Sequence, residues 1–445
     1  MARRLASTRV KTLRLHTTQG DAGTLHRESQ FVVRYNDRAL DRPERAIALT
    51  MPTRPEGWTS NQLPPVLAMN LPEGFLLERV LDRYRKVMVV DDMNLLAVTS
   101  TPSAGRVWAS VITSSASANP KDGEDGEDGE DGEDGDDGED GKSARAMPLR
   151  DILAHPGTED LFDELLIRFA SASISGVQPK VVVTEEPEGL PSVRRRVPDR
   201  ASIKSPDLIV KSAGDGYPGL AENEFICMSL ARAAGLEVPE FWLSEDRKLF
   251  VIRRFDMASQ GGYLGFEDMA ALMGKHPSKK YESSYADVAR AIADFVAPAH
   301  VNASLDEFFR LLVLCCVVRN GDAHLKNFGV IYGDPASAGQ DARLAPVYDV
   351  VSTTVYLSND VLALGLRGSK KWPDRQSLER FGAEACGVKN VGRVVEEIIE
   401  SAMGYRYADS ESEMWEKVRA HMAAAVASLR PRNVVAARSG RGRIQ

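Results

Sequence analysis

Apolar and polar positions change their period more than once along this chain. From Phe31, the run FVVRYNDRALDRPERAIALT has short apolar stretches broken by turn residues, which predicts strands joined by turns. LPPVLAMNLPEGFLLERVLDRYRKV then reads as a loop entering a helix. Pro72 suits a first helical turn, Glu73 favours the positive end of the dipole, and Phe75, Leu76, Val80 and Leu81 supply an apolar face. NLLAVTS and RVWASVIT are predicted as further short strands. The expectation is a small α/β domain over 31–115, preceded by a polar, basic, disordered arm over 1–30.

A second pattern starts near 146. TEDLFDELLIRFA predicts an amphipathic helix, and SISGVQPKVVVTE, DLIVKSA and LEVPEFWLSEDRKLFVIRRFDM predict strands. The helix AENEFICMSLARAAG lies between the last two, with Gly235 as its stop. From about Leu264 the chain reads as mainly helical, with a strand-like interruption at NFGVIYG and LAPVYDVVS. Phe308 to Val318 is apolar but contains Arg310, and is too short to span a bilayer, so it reads as a buried helix. These patterns divide the remainder into a strand-rich part, 146–262, a helical part, 263–430, and a basic tail, 431–445.

Between the two patterns, 116–145 is built on a Gly-Glu-Asp repeat. Dense like charge with glycine cannot bury apolar surface, so an extended, solvated tether is expected. This tract changes how the net charge of −8 is read. Thirteen of the acids lie between Asp122 and Asp140, and the rest of the chain is mildly basic. That balance suits anionic ligands such as nucleotides without calling for nucleic acid. A length of 445 residues suggests two to three domains, and 43% hydrophobic residues are enough for a large core. The four cysteines form no CxxC pair and read as reduced core residues. No apolar h-region follows the basic start, so a cytoplasmic protein is expected.

The chemistry concentrates in Arg319-Asn320-Gly321-Asp322-Ala323-His324-Leu325-Lys326-Asn327, directly after the apolar helix. Asp322 followed five residues later by Asn327 is the Asp-x-x-x-x-Asn spacing of kinase catalytic loops. There the aspartate accepts the substrate hydroxyl proton and the asparagine holds Mg²⁺. Asp349, after PVY, is placed to be a second Mg²⁺ ligand, since hard oxygen ligands suit that ion. Lys211, alone among apolar residues in DLIVKSA, is a candidate phosphate clamp, with Glu222 or Glu224 as its ion-pair partner. Ser173 to Lys180 contains one glycine and neither a GxGxxG nor a Walker A pattern, so on its own it is a poor phosphate loop.

In order, SISGVQPK, IVKS, NEFICMSLARAAGLEVPEFWL, RRFD, GFEDMAALMGKHPSKKYESSY, NGDAHLKNFGV and LAPVYDVVST resemble the HipA family of serine/threonine kinases, and LAMNLPEGFLLERVL resembles its N-terminal subdomain. The resemblance implies an α+β, bilobal protein-kinase-like fold, with a strand-rich N-lobe, a helical C-lobe and a small α/β subdomain in front. It implies ATP and Mg²⁺ as cofactors, Asp322 as catalytic base, and Asn327 and Asp349 as metal ligands. Lys211, His324, Lys326 and Tyr348 would line the nucleotide site, and Arg253 to Phe255 would form the hinge. Ser175, Gly176, Val177, Gln178 and Lys180 would face the phosphates, with Ser173 or Ser175 autophosphorylated. It further implies a toxin acting on a translation-related protein, an aminoacyl-tRNA synthetase or elongation factor. A HipB-like helix-turn-helix antitoxin would neutralise it, with DNA reached only through that partner and no membrane involved. The Gly-Glu-Asp tract, Arg253 in the hinge and Lys326 four residues after the aspartate depart from the pattern. NGDAHLKN also resembles the loop of aminoglycoside and choline kinases, so a small-molecule phosphotransferase is an alternative, as is a pseudokinase co-repressor module.

Overall fold

The computed structural model describes residues 10–71, 77, 89–98, 105–112, 149–155, 161, 201–204, 207–212 and 217–430. The acidic tether, the Ser173 to Lys180 loop, the turn beginning at Pro72 and the C-terminal tail lie outside them.

The N-terminal part is a five-stranded antiparallel sheet of β1 (Thr12–Thr17), β2 (Gly20–Arg27), β3 (Phe31–Tyr35), β4 (Trp58–Ser60) and β5 (Val107–Val111), ordered β4-β3-β2-β1-β5. Residues 12–27, expected in a disordered arm, therefore carry two strands, and β1 is an interior strand between β2 and β5. Leu13, Leu15 and Thr17 are buried while Arg14 and His16 alternate with them, the period of a strand with one wet face. The basic and polar residues that suggested an arm are the outward-facing half. A second correction concerns NLLAVTS, expected as a strand: Asp92–Val98 is a helix. Asp91 Oδ1 accepts from Asn94 N at 2.9 Å, which serves the free amides of its first turn. Met93 and Leu96 face the sheet core. So short an apolar run does not separate strand from helix by period.

The second part holds a four-stranded antiparallel sheet, β6 (Ala201–Lys204), β7 (Leu208–Ser212), β8 (Phe241–Leu243) and β9 (Leu249–Arg253), ordered β6-β7-β9-β8. The Leu220–Ala233 helix packs on it through Ile226 and Leu230 against Phe241, Phe250 and Ile252. Gly235 follows at φ +78°, so the left-handed stop falls where the sequence placed it. A third sheet joins β10 (Gly265–Asp268), β11 (Gly329–Tyr332) and β12 (Arg343–Leu344). β10 falls inside the stretch expected to be helical. Its pairing with β11 needs glycine on both strands: a Cβ at Gly265 would stand 2.1 Å from the Tyr332 ring, and one at Gly329 2.4 Å from the Phe266 ring. Beyond lie helices, centred on Val301–Val318, whose Phe308 to Val318 segment is buried on nearly every side.

The first sheet docks on the third through polar groups. Glu267 on β10 is fully buried; its Oε1 accepts from Leu49 N at 2.7 Å and Tyr332 Oη at 2.7 Å. Asp256 Oδ2 accepts from Gly105 N at 2.7 Å and holds Arg254 at 2.6 Å. Burial pushes the Glu267 carboxyl up to about 7, against the opposing effects of Leu49 N–H, Tyr332 and Arg106. A raised folded value means the contribution is complete below the carboxyl's ordinary range and is lost as pH climbs through about 7. Wild-type stability is expected to fall relative to Glu267→Gln between these limits, by roughly 3 kcal/mol at most. Urea melts of both proteins across that range check the difference in slope.

Candidate functional site

The site is assembled from three local devices. The first is the loop after the Val301–Val318 helix. Arg319 ends that helix at φ +59°, a left-handed conformation that costs a non-glycine residue about 1–3 kcal/mol. The Arg319 carbonyl is held by both Thr353 N and Thr353 Oγ1 at 3.1 Å, which fixes the exit direction. Asn320 N returns to Cys315 O at 2.8 Å, and Asn320 Oδ1 accepts from Asp322 N at 3.0 Å. Gly321 N donates to Thr353 Oγ1 at 2.8 Å, and Tyr285 Oη to Ala323 O at 3.1 Å. Asp322 is thus presented by a loop whose main chain is tied at nearly every residue. A Cβ at Gly321 would meet Asp360 Oδ2 at 2.0 Å and the Val361 carbonyl at 2.7 Å. Gly321→Ala is expected to cost on the order of 1–3 kcal/mol and to displace Asp322. Thermal melts and turnover, measured together, check this.

The second device is the lysine of β7. Lys211 Nζ bonds Glu224 Oε1, and reaches Asp349 Oδ1 and Tyr348 O, each at 3.3 Å. Of the two acids the sequence offered, Glu224 is the partner; its side chain is 2% exposed. Glu222 turns away to Arg247 at 3.1 Å and Ser412 Oγ at 2.7 Å.

The third device holds the Asp349 segment. Asn223 Oδ1 accepts from Ser352 N at 2.9 Å and Asn223 Nδ2 donates to Ser352 O at 3.0 Å. Asn223 is fully buried and was not singled out from sequence; its signal was an amide inside an otherwise core-facing helix turn. Asn327 Nδ2 then donates to Asp349 Oδ2 at 2.7 Å, which brings the loop and the lysine strand together. Asn327 Oδ1 is buried with no hydrogen-bond partner among the described residues. An unmet amide oxygen beside a carboxylate is the hard-oxygen pair that a magnesium ion accepts, the rest of its shell being water and phosphate oxygens. No group of three or more His, Cys, Asp or Glu forms a metal cage among the described residues. The residues present therefore fit a magnesium ion shared with phosphates better than a metal held by protein alone.

Tyr348 lies between the devices. Its hydroxyl bonds the Lys326 carbonyl, and its ring stacks on Phe255 at 4.9 Å and meets Phe266 edge-on at 5.9 Å. Burial first, then Asp268 and Asp349, hold its phenol well above the usual range. Phe255 is thus packed on the residue that precedes Asp349. The Arg253 side chain pairs with Glu240 at 2.6 Å, and its amide donates to Glu240 O at 2.8 Å. The His324 Nε2 lies 3.9 Å from Asp322 Oδ1. A further missed residue is Tyr281, whose hydroxyl donates to Asp322 Oδ1 at 2.7 Å. Ser173, Ser175, Gly176, Val177, Gln178 and Lys180 lie outside the described residues. All four cysteines are buried and free, and no helix among the described residues is long and apolar enough to cross a membrane.

Comparison with known proteins bears on this arrangement. The profile of the HipA-like C-terminal domain matches residues 172–405, more than half of the chain, and that of the HipA N-terminal domain matches 13–110. The chain belongs to the HipA family. The N-terminal match begins within β1, in agreement with the sheet. A Sinorhizobium fredii protein named "Putative kinase Y4dM" is 34% identical over 179 residues, covering 37% of this chain and 42% of its own. A Haemophilus influenzae protein named "Putative kinase" is 32% identical over 211 residues, covering 44% of this chain and 57% of its own. The chain spans about half the length of these curated relatives. Among solved structures, HipA from the Shewanella oneidensis MR-1 toxin–antitoxin complex with HipB and operator DNA superposes with a TM-score of 0.58. Identity there is 16%, over 95% of this chain and 92% of that one, a likeness of fold.

Proposed function

We propose that this HipA-family protein is an ATP-dependent kinase that phosphorylates serine or threonine in proteins, itself included. The observation that carries the reading is the convergence on Asp349: its carboxylate is bound by Lys211 from β7 and by Asn327, which lies five residues after Asp322 in the loop. A clamp on the β6-β7-β9-β8 sheet and a loop on the helical part support a bilobal kinase division of labour.

In this reading Asp322 takes the proton of the acceptor hydroxyl as its oxygen bonds the γ-phosphorus and the bond to the β-phosphate oxygen breaks. Lys211, fixed by Glu224, neutralises phosphate charge and so favours the transferring geometry. Asn327 Oδ1 and Asp349 would hold magnesium, which when bound screens charge on the phosphate oxygens. Tyr348 and Phe255 would form an apolar wall for the nucleotide. The loop Ser175 to Lys180 would cover the phosphates, and Ser173 or Ser175 would be the self-modified residue.

The HipB named in the complex of the Shewanella relative supports a small helix-turn-helix antitoxin as partner, with DNA bound through that partner. A translation-related protein in the cytoplasm, of the aminoacyl-tRNA synthetase or elongation-factor class, is the proposed target. Intact mass after incubation with Mg-ATP tests the activity. A gain of one or two phosphates, absent in Asp322→Ala, is expected. Nucleotide binding without transfer to itself or to any protein would leave a pseudokinase or a kinase of small-molecule alcohols.

A further inference from the structure

The acceptor side of the site carries information about the substrate, and the following rests on the kinase reading above. Tyr281 Oη donates to Asp322 Oδ1 at 2.7 Å, yet the residue is 42% exposed. A hydroxyl at hydrogen-bond distance from the base is the position an acceptor hydroxyl must take. The phenol ring stands edge-on to His324 at 5.1 Å, so the stand-in hydroxyl is aimed by packing as well as by the bond.

Cations and one exposed aliphatic residue lie close to Tyr281. Val361 borders the loop, since its carbonyl lies 2.7 Å from where a Gly321 Cβ would be, and it is 41% exposed. Lys370 Nζ donates to the Tyr281 carbonyl at 3.2 Å, Lys371 follows it, and Lys280 Nζ lies 5.3 Å from the Tyr281 ring centroid. Neighbouring cations are satisfied internally: Lys279 has Glu282, and Arg367 has Glu384. Lys280, Lys370 and Lys371 have no carboxylate partner among the described residues.

We propose that Tyr281, Val361, Lys280, Lys370 and Lys371 form the docking surface for the acceptor, an acidic protein segment bearing the target hydroxyl. Tyr281 Oη keeps that hydroxyl's place on Asp322 until the segment docks. Three lysines beside one exposed aliphatic residue fit carboxylates flanking a serine or threonine. A single-stranded nucleic acid calls instead for cations strung along a groove with aromatic faces for its bases.

Fluorescence anisotropy of the full-length protein with short labelled serine peptides tests this without requiring catalysis. The peptides carry acidic, neutral or basic flanks. The acidic peptide is expected to bind about tenfold more tightly than the basic one, with an affinity that falls as salt rises. Lys280→Glu combined with Lys371→Glu reverses the order and leaves binding of a non-hydrolysable ATP analogue unchanged. Tyr281→Phe, which removes the competing hydroxyl, tightens the acidic peptide severalfold. Equal binding of the three peptides, an order unchanged in the double variant, or a single-stranded RNA that outcompetes the acidic peptide would each overturn the proposal. Failure of the kinase reading is separately visible, as absence of ATP-analogue binding in the wild type.

Discussion

Asp322→Asn is expected to slow phosphoryl transfer by roughly 10²–10⁴-fold, the range that a positioned general base contributes, with nucleotide affinity unchanged. The substitution keeps shape and removes basicity. The main-chain bonds that place the residue, from Asp322 N to Asn320 Oδ1 at 3.0 Å and from His324 N to Asp322 O at 2.8 Å, survive. No described contact joins Asp322 to Lys211 or Asp349, so the cluster proposed to hold the nucleotide is left intact. Single-turnover transfer and equilibrium binding of an ATP analogue, measured on the same preparation, separate the two effects. A parallel loss of both would mean that Asp322 shapes the nucleotide site.

The second large effect is on stability. Lys211→Met leaves Glu224, 2% exposed, without its cation and removes a counter-charge from Asp349. Breaking a buried pair by removing one partner typically costs about 3–5 kcal/mol, because the remaining charge keeps its desolvation penalty. Replacing both, Lys211→Met with Glu224→Leu, is expected to recover most of that loss while activity stays absent. Urea melts and transfer assays on the single and double variants check the pair. Recovery of stability without recovery of activity would assign the ion pair to function, since an apolar pair of similar size serves folding as well.

The parts of the site that were legible in the sequence are those fixed by short spacing. Asp322 and Asn327 lie on one loop after one buried helix, and Lys211 is the one charged residue in an apolar strand. Asp349 followed from its place after β11. What was not legible depends on rotation and packing. Glu222 and Glu224 are two positions apart on a helix that turns about 100° per residue, so they point to opposite sides. Only the sheet beneath decides which one meets Lys211. Asn223 and Tyr281 act through partners 129 and 41 residues away, Ser352 and Asp322, and nothing local announces either contact.

The fold shows the same division. The buried Val301–Val318 helix and β7 declared themselves by composition. β1 and β2 were hidden because their solvent face is basic and polar, and a strand with one wet face loses half its apolar signal. β10 was hidden because it is four residues long and pairs with a strand 61 residues further on in the chain. The Asp92–Val98 helix was misread because Leu95 and Leu96 serve either a helix or a strand. The family match over 13–110 and 172–405 frames the same two parts.

The central claim is that Lys211, Asn327 and Asp349 form a magnesium–nucleotide site. Titration calorimetry of a non-hydrolysable ATP analogue, with magnesium and then with chelator, tests it most directly, using wild type beside Asp349→Asn. Binding that requires magnesium in the wild type, and that weakens at least about tenfold in the variant, is the predicted result. Binding of equal strength with and without magnesium, or no binding at all, would contradict it.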